Sequence, residues 1–544
     1  MRPLDWAVIA LYLGGIVTFA LYRSRRQADL NDYYLAGRQT RWWQSGFSTM
    51  ATQLGAISFV SAPAFVALKE GGGLKWLAYE FGVPLGLLLV MMVILPFLHR
   101  GGYISIYEYL ERRFDRETRV LVSLLFQLGR GLATAVTVLA GGLILSTALP
   151  LSTAQAIILI GAVTVAYDVL GGIRVVILSD VVQMIIIVVG VAIGGATALA
   201  MVGWDQVWVA LDPERLKILD FRHWGLSPEG EYAFWPMAIG GIFLYASYYG
   251  CDQSQVQREM SVGSLQGVRR SLLVNAFGRF PIVLLYCLMG VFVGAVFADP
   301  EHISQVAARL GTSPAGIVET LGQDPDRMVP MYVLTFLPPG VVGLIFVAIM
   351  AALMSSLDSA INSLSAVTLQ DVYRIYIRPS ATKRHYLLAS KLLTLFWGIF
   401  CVTAALAFGY AGEATRHTTI VLINAVGSLL YGPILAAFLL GMTTLRISPA
   451  HIKPGIMAGI TANVLLWQFS SLSWMWWNLA GFLVAVAVSA GLSYLRESPG
   501  ATLLKTGRLY SNLGIRRHWN DSYSLVVVYF FAIIAVAWLI QWLG

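Results

Sequence analysis

The chain has 544 residues, of which 57% are hydrophobic and 12% are charged, and its mean hydropathy is +0.71. A soluble globular domain carries roughly 25% charged residues, so this composition excludes a soluble enzyme or binding domain. It indicates an integral membrane protein, and the absence of strand-like alternation makes the expected fold all-α.

Long apolar runs divide the chain into candidate membrane spans. A helix needs roughly 20 apolar residues to cross a hydrocarbon core of ~30 Å. The sequence predicts fourteen transmembrane helices. They cover 3–22, 43–68, 74–98, 119–147, 152–170, 174–202, 234–251, 270–298, 332–360, 386–410, 416–442, 452–470, 472–494 and 523–543.

The positions of Lys and Arg predict the orientation of the bundle. Alternate loops, counted together with the ends of the spans beside them and beginning with 23–42, hold 26 of the 37 Lys and Arg residues, and Arg130 and Arg279 lie deep within predicted spans. Loops rich in these residues stay in the cytoplasm. We therefore expect a multi-pass protein of a bacterial plasma membrane with both termini outside. The net charge of +8 reflects this topology, and we expect no nucleic-acid partner.

A polar stripe interrupts the ninth predicted span, in the segment AALMSSLDSAINS. Ala352, Ser355, Ser356 and Ser359 follow the i, i+3, i+4, i+7 spacing, so they share one face of a helix. Their oxygen atoms suit a small hard cation. The alternative is structural, because serines in membrane helices also bond back to their own helix or allow close helix packing.

Two acidic residues at membrane depth favour the functional interpretation. Asp358 lies beside the serine stripe, and Asp180 lies in the sixth predicted span. An ionisable group at this depth costs at least ~2.5 kcal/mol and is retained for a function with a partner. Two carboxylates with serine hydroxyls could enclose sodium, or one acid could be protonated and donate a hydrogen bond. Neither HExxH nor GxSxG occurs, so we do not expect an enzyme.

Four motifs carry a resemblance to a known family. They are MATQLGAISF at 50–59, VLGGIRVVILSDVVQ at 169–183, YYGCDQSQVQR at 248–258 and the AALMSSLDSAINS segment. With these motifs the chain resembles the sodium:solute symporter family, which includes sodium/galactose and sodium/sialic acid symporters. The resemblance implies a LeuT-like fold of two five-helix repeats with inverted topology, and a binding site near the membrane midplane.

The resemblance also divides the chain. Residues 1–42 would form an extra helix and a cytoplasmic loop, 43–203 the first repeat, 204–233 an outer loop, 234–442 the second repeat and 443–544 three additional helices. Broken helices are expected in the second span, at Gly55 and Pro63, and in the seventh span, at Gly250. Unwound backbone at such breaks exposes carbonyl and amide groups to a ligand.

The family's common sodium site maps onto five residues of this chain. It would use the backbone carbonyls of Ala51, Leu54 and Ala352 and the hydroxyls of Ser355 and Ser356.

Some members of the family have a second, deeper sodium site, which would fall on Asp180, Asp358 and Ser359. The carboxylate at position 358 departs from the two-hydroxyl form of that site. Either the second cation is held more strongly, or Asp358 binds a proton or a basic neighbour instead.

The resemblance places a solute pocket beside these cation sites. It would be lined by Gln53, Gly55, Ser58, Glu80, Arg130, Tyr245 and Asn424, with Tyr248 as the inner gate. Glu80 is similar to the carboxylate of the sugar carriers, and Arg130 to the guanidinium that holds the carboxylate in sialic acid carriers. Alternatively, Glu80 and Arg130 neutralise each other. Arg279 either approaches the pocket or is a structural charge that snorkels toward water.

Together these features predict a sodium-coupled secondary active symporter. It would import a small organic solute by alternating access, either a carboxylate such as sialic acid or a sugar. The partners would be the solute, sodium ions and the lipid bilayer, with no cofactor beyond Na⁺ as the coupling ion, and the functional unit would be a monomer. The alternatives are a proton-coupled carrier that uses Asp180 and Asp358, and a transporter-like membrane sensor.

Overall fold

Helices make up all of the regular secondary structure in the described part of the chain. The structure is a computed structural model that describes residues 1–24, 29–147, 149–210, 212–410, 419–495 and 520–542, with only the backbone described at 23, 24, 56, 57 and 419–426. This confirms the all-α expectation for those residues.

In the described part of the chain, fifteen helices or helical segments build the bundle. They are α1 (Pro3–Ser24), α2 (Trp42–Gln53), α3 (Ala56–Ala67), α4 (Leu74–Gly101), α5 (Arg116–Ser146), α6 (Thr153–Val202), α7 (Gly241–Cys251), α8 (Gln253–Met260), α9 (Leu265–Ala298), α10 (Val341–Val367), α11 (Lys383–Tyr410), α12 (Thr419–Thr443), α13 (Pro449–Phe469), α14 (Trp474–Leu495) and α15 (Asp521–Gln541). Shorter helices lie between them, at Leu30–Leu35, Glu108–Arg113, Trp204–Ala210, Pro213–Leu216, Pro300–Leu310, Pro314–Gln323 and Met328–Phe336.

Each of the fourteen predicted spans contains helix. Fewer than fourteen of the described helices, however, are both long enough and apolar enough to cross a membrane. Among the described residues, nine helices are long and apolar enough to cross a bilayer, or ten if α2 and α3 form one bent span. The two segments of that pair meet at 54°. The segments that do not qualify on their own include α7, which is short, and α13, which carries His451 and Lys453.

A single helix, α6, covers two of the predicted spans. It runs for 50 residues, and its backbone is broken at Gly172, where φ is 58° and ψ is −166°. An added Cβ at Gly172 would lie 2.7 Å from the carbonyl oxygen of Tyr33. Glycine is therefore required here for both the backbone angle and the close approach of the chain.

The ninth span begins later than the sequence predicted. The expected range of 332–360 is wrong at both ends, because a break over 337–340 separates Met328–Phe336 from α10, and the helix continues as a π-helical extension to Ile377. The break contains two consecutive prolines, which lack the N–H group and disfavour helix in the residue before them. Asp5 then accepts hydrogen bonds from the first amides of α10, at Gly340 (2.7 Å) and Gly343 (3.0 Å).

The helix that carries the serine stripe is the most buried of the nine long apolar helices. It packs against α1, α5, α6 and α11, and its most extensive contact is with α6. The polar groups of α10 consequently face other helices rather than lipid, which is the position that functional groups in membrane proteins occupy.

Candidate cation and solute sites

The break between α2 and α3 provides backbone oxygens for a cation site. Leu54 ends α2 with φ −90° and ψ 65°, and Gly55 begins α3 in an extended conformation. An added Cβ at Gly55 would lie 3.0 Å from the hydroxyl oxygen of Ser356, so a side chain there would crowd the serine. The break was predicted at both Gly55 and Pro63, but Pro63 lies inside α3 and only the Gly55 position is broken.

Four of the five residues predicted for the first sodium site are joined by direct contacts. The hydroxyl of Ser355 lies 3.2 Å from the Ala51 carbonyl oxygen and 3.1 Å from the Ala352 carbonyl oxygen. The hydroxyl of Ser356 lies 3.2 Å from the same Ala352 oxygen and 3.3 Å from the carbonyl oxygen of Thr52, which the sequence did not predict. The fifth residue, Leu54, is buried at the break beside them.

The second predicted site contains a guanidinium that the sequence analysis missed. Asp180 accepts hydrogen bonds from Ser48 (2.5 Å) and from Arg258 (3.1 Å). Arg258 also donates to the hydroxyl of Ser359, which in turn lies 3.1 Å from a carboxylate oxygen of Asp358. All of these side chains are buried. Arg258 follows the seventh predicted span, where the alternation of basic loops predicts a cytoplasmic loop.

Asp358 has its own hydroxyl partner. Tyr167 of α6 donates a hydrogen bond to the carboxylate oxygen that does not face Ser359. One turn earlier on α10, Ser355 forms the first site, so the two clusters are adjacent along one helix. The basic neighbour offered as an alternative partner of Asp358 is not in contact with it, because Arg258 bonds Asp180 and Ser359 instead.

A cavity of about 180 Å³ lies beside the first cluster. Of the predicted solute residues, its lining includes Gln53, Gly55, Ser58, Glu80, Arg130, Tyr245 and the predicted gate Tyr248. The side chain of Asn424, also predicted, lies outside the described residues. Residues of the lining that the sequence did not predict include Tyr79, Tyr286 and Tyr431.

The charged groups of the cavity do not form the Glu80–Arg130 pair that the sequence offered as an alternative. Glu80 accepts a hydrogen bond from Arg279 at 2.6 Å, so the expected neutralisation of Glu80 by Arg130 is wrong. Arg279 is 4% exposed and lines the cavity, which also excludes snorkelling toward water. The Glu80–Arg279 pair is electrically balanced within itself.

Arg130 is left with weak protein partners. Its Nη1 lies 3.4 Å from the Tyr248 hydroxyl and 3.9 Å from a carboxylate oxygen of Asp252. Within the part of the chain that the structure describes, its buried Nε atom has no hydrogen-bond partner. A guanidinium carries five N–H donors, so Arg130 retains donors for an acceptor in the cavity.

Tyr248 forms the floor of the cavity above α8. Its hydroxyl accepts a hydrogen bond from Gln255 of α8 at 2.9 Å, and its ring packs edge-on against Tyr431. Every residue of α8 is buried. Asp252 interrupts the backbone between α7 and α8 and caps α8 through the amide of Ser254 (2.8 Å), so the predicted break at Gly250 falls two residues later.

Curated relatives of the chain are transporters. The sodium/iodide cotransporter of Homo sapiens is 28% identical over 471 residues, which cover 85% of this chain and 68% of the relative. The sodium/sialic acid symporter NanT of Aliivibrio fischeri is 27% identical over 499 residues, covering 89% and 92%. The sodium/glucose cotransporter of Vibrio parahaemolyticus is 27% identical over 487 residues, covering 86% of each chain.

A solved structure shares the fold over nearly the whole length. It is the substrate-bound, outward-open state of a Na⁺-coupled sialic acid symporter, with a TM-score of 0.78 and 25% sequence identity, and the match covers 91% of this chain and 98% of that one. The model of the sodium:solute symporter family matches residues 33–460. The chain therefore belongs to the sodium:solute symporter family, and it is a transporter rather than an enzyme.

Proposed function

We propose that the chain couples the inward movement of sodium to the import of a small organic solute that bears a carboxylate. The observation that carries this proposal is the shared wall between the oxygen cluster and the cavity. Ser356, Leu54 and Thr52 contribute oxygens or backbone to the cluster, and all three also line the cavity. An ion held there would lie directly beside the solute.

Coupling follows from this position. Sodium bound by Ser355, Ser356 and the carbonyls of Ala51, Leu54 and Ala352 would join the α2–α3 break to α10. The joined helices form one side of the solute cavity, so the ion favours the conformation that accepts solute, and the solute then favours closure. Each sodium ion that moves inward contributes ~2.3 kcal/mol per 100 mV of membrane potential.

The charge balance of the cavity supports a carboxylate solute. Glu80 and Arg279 cancel each other, whereas among the described residues Arg130 is held only by a 3.4 Å contact to Tyr248 and a 3.9 Å contact to Asp252. A carboxylate would accept from the free Arg130 donors in a charge-assisted hydrogen bond. A neutral sugar is the second candidate, because the Oε2 atom of Glu80 is buried without a partner among the described residues and could accept from a hydroxyl.

The finer architecture belongs to the same proposal. A helix of 50 residues would be about 75 Å long, far more than the ~30 Å core, so α6 supplies two spans that meet at Gly172. With α7, α12 and α13 counted as well, the bundle has fourteen spans, arranged as two inverted five-helix repeats of the LeuT-like type. Both termini lie outside, and the monomer is the functional unit.

Reconstituted transport tests the proposal. The protein is placed in lipid vesicles and supplied with labelled carboxylates and sugars under a sodium gradient, then under a proton gradient alone. We expect uptake of a carboxylate that requires sodium. Uptake driven equally well by protons without sodium would favour the proton-coupled alternative, and uptake of neutral sugars alone would reject the role of Arg130.

A further inference from the structure

The guanidinium of Arg258 lies where a second sodium ion was predicted. The predicted ligands were Asp180, Asp358 and Ser359, and Arg258 donates hydrogen bonds to Asp180 (3.1 Å) and to Ser359. The arginine is fully buried, and so are its partners. It comes from α8, which packs against α2 and α10.

The hydrogen bonds of this guanidinium occupy two of the three predicted cation ligands, Asp180 and Ser359, and two further oxygens. Its Nε donates to the Ser48 hydroxyl at 2.7 Å, and its Nη1 donates to the Ser254 carbonyl at 2.5 Å. Its Nη2 serves Asp180 and Ser359. Four oxygen atoms therefore surround one positive charge that belongs to the protein. A sodium ion at the same oxygens would displace these donors and would be repelled by the guanidinium.

The remaining acid of the cluster also has hydrogen-bond donors. Asp358 accepts from Tyr167 and lies 3.1 Å from the Ser359 hydroxyl. Ser359 is further tied to Thr52, with 2.9 Å between the two hydroxyl oxygens. The cluster is thus connected through hydroxyl groups without an added ion.

We infer that Arg258 is a tethered cation that fills the second cation site, so that the chain binds one sodium ion, at the Ser355–Ser356 cluster. This inference rests on the proposed function and specifies its stoichiometry. Because Arg258 is part of α8, its charge moves with that helix and is not released to the cytoplasm. Gln255 of the same helix donates to Tyr248 at the floor of the cavity, so the tethered charge and the predicted inner gate share one short helix.

Sodium binding can be counted without knowledge of the solute. Purified full-length protein in lipid nanodiscs is titrated with radioactive sodium, and the saturating number of ions per chain is measured. We expect one ion for the natural chain and none for the Ser355→Ala, Ser356→Ala double variant. We expect two ions for Arg258→Gln, which removes the tethered charge, and one ion for Arg258→Lys, which keeps a positive charge on α8.

A matched control separates the site from the general loss of a buried arginine. Arg119 of α5 is buried and donates from Nε to Asp371 at 2.8 Å, away from both cation clusters. Arg119→Gln should leave the count at one ion. Asp180→Asn should also leave it at one, because in this arrangement Asp180 binds Arg258 rather than sodium.

The outcomes distinguish this inference from the proposed function. Two ions in the natural chain, or one ion in Arg258→Gln, would overturn the assignment of Arg258 while sodium coupling stands. One ion that survives the double serine substitution would also overturn it, and this result does not depend on the Arg258 variants folding. No saturable binding in the natural chain would reject sodium coupling itself.

Discussion

Two groups of buried oxygen atoms lie one turn apart on α10 and differ in charge. The first, around Ser355 and Ser356, contains only hydroxyl and carbonyl oxygens. The second, around Asp358 and Ser359, also contains the carboxylate of Asp180, and the guanidinium of Arg258 pairs with Asp180. Both groups are built on the same polar stripe, yet they suit different cations.

The difference concerns what happens when a mobile ion leaves. At the neutral group, the serine hydroxyls hydrogen-bond the carbonyl oxygens of Ala51, Thr52 and Ala352 at 3.1 to 3.3 Å, so these groups have partners without an ion. Buried carboxylates have no such option, because an unpaired buried charge costs several kcal/mol. An exchangeable cation therefore suits the neutral group, and a permanent cation suits the charged one.

Removal of the permanent cation, the guanidinium of Arg258, should produce the largest change, a loss of protein stability. Arg258→Gln leaves Asp180 without its counter-charge, and the loss of one partner of a buried ion pair costs about 3 to 5 kcal/mol. We expect a clearly lower unfolding temperature in sodium-free buffer, measured by thermal denaturation in detergent. Added sodium should restore part of the loss in this variant, since it can then enter the vacated site.

An exposed ion pair provides the control for that measurement. Arg327 pairs with Asp324 at 3.0 Å, and both side chains are nearly half exposed. Arg327→Gln should change the free energy of unfolding by less than about 1 kcal/mol. Equal destabilisation by the two substitutions would contradict the distinction between the two groups.

Loss of the neutral group should abolish sodium-stimulated uptake. Each hydroxyl contact to a charged group is worth about 1.5 to 3 kcal/mol, so Ser355→Ala with Ser356→Ala should weaken sodium activation by roughly 100-fold or more. The measurement is solute uptake as a function of sodium concentration, with the amount of protein in the membrane determined in parallel.

A third serine of α10 tests whether the effect is local. Ser363 is buried, and its hydroxyl donates to the Ala360 carbonyl of its own helix at 2.8 Å. Ser363→Ala should leave the sodium dependence unchanged. Sodium activation that is unaltered in the double variant would remove the cation assignment from Ser355 and Ser356.

The neutral group was predictable because its signal is local. The spacing of Ala352, Ser355 and Ser356 places them on one helix face whatever the tertiary structure. The resemblance then supplied the partners in the second span, and the structure brings Ala51 into contact with Ser355. By contrast, the start of α10 was wrong because average hydropathy does not register the break at 337–340.

Charge pairing was not predictable, because it depends on which helices meet. The sequence shows that Glu80, Arg130 and Arg279 lie at membrane depth but does not show that Glu80 meets Arg279. Arg258 was missed because charged residues after a span are ordinarily loop residues. One available signal was the density of polar residues in QSQVQREM directly after the seventh span, since α8 is polar and yet entirely buried.

A substitution at Arg130 sharpens the contrast between the closely paired charges of Glu80 and Arg279 and the weakly paired charge of Arg130. Arg130→Gln should raise the KM for a carboxylate solute by about tenfold or more, the value of one charge-assisted hydrogen bond. Transport kinetics with the solute found by the vesicle screen provide the measurement. Thr137→Ala is the control, because Thr137 lines the cavity but its hydroxyl donates to the Ala133 carbonyl of its own helix at 2.9 Å. Equal KM changes in the two variants would contradict a solute contact at Arg130.

The smallest expected effect lies at the floor of the cavity, where the solute site meets the helix that carries Arg258. Tyr248→Phe removes the acceptor of the Gln255 hydrogen bond (2.9 Å), and a neutral hydrogen bond contributes about 0.5 to 1.5 kcal/mol. We expect the KM for solute to rise by about two- to tenfold.

Tyr286 is the matched control: it also lines the cavity, but its buried hydroxyl has no hydrogen-bond partner among the described residues. Tyr286→Phe should therefore leave the KM unchanged or slightly lower, since it removes a polar group that is already unsatisfied. If the two variants shift the KM alike, the contact between Tyr248 and α8 does not contribute to closure of the cavity floor.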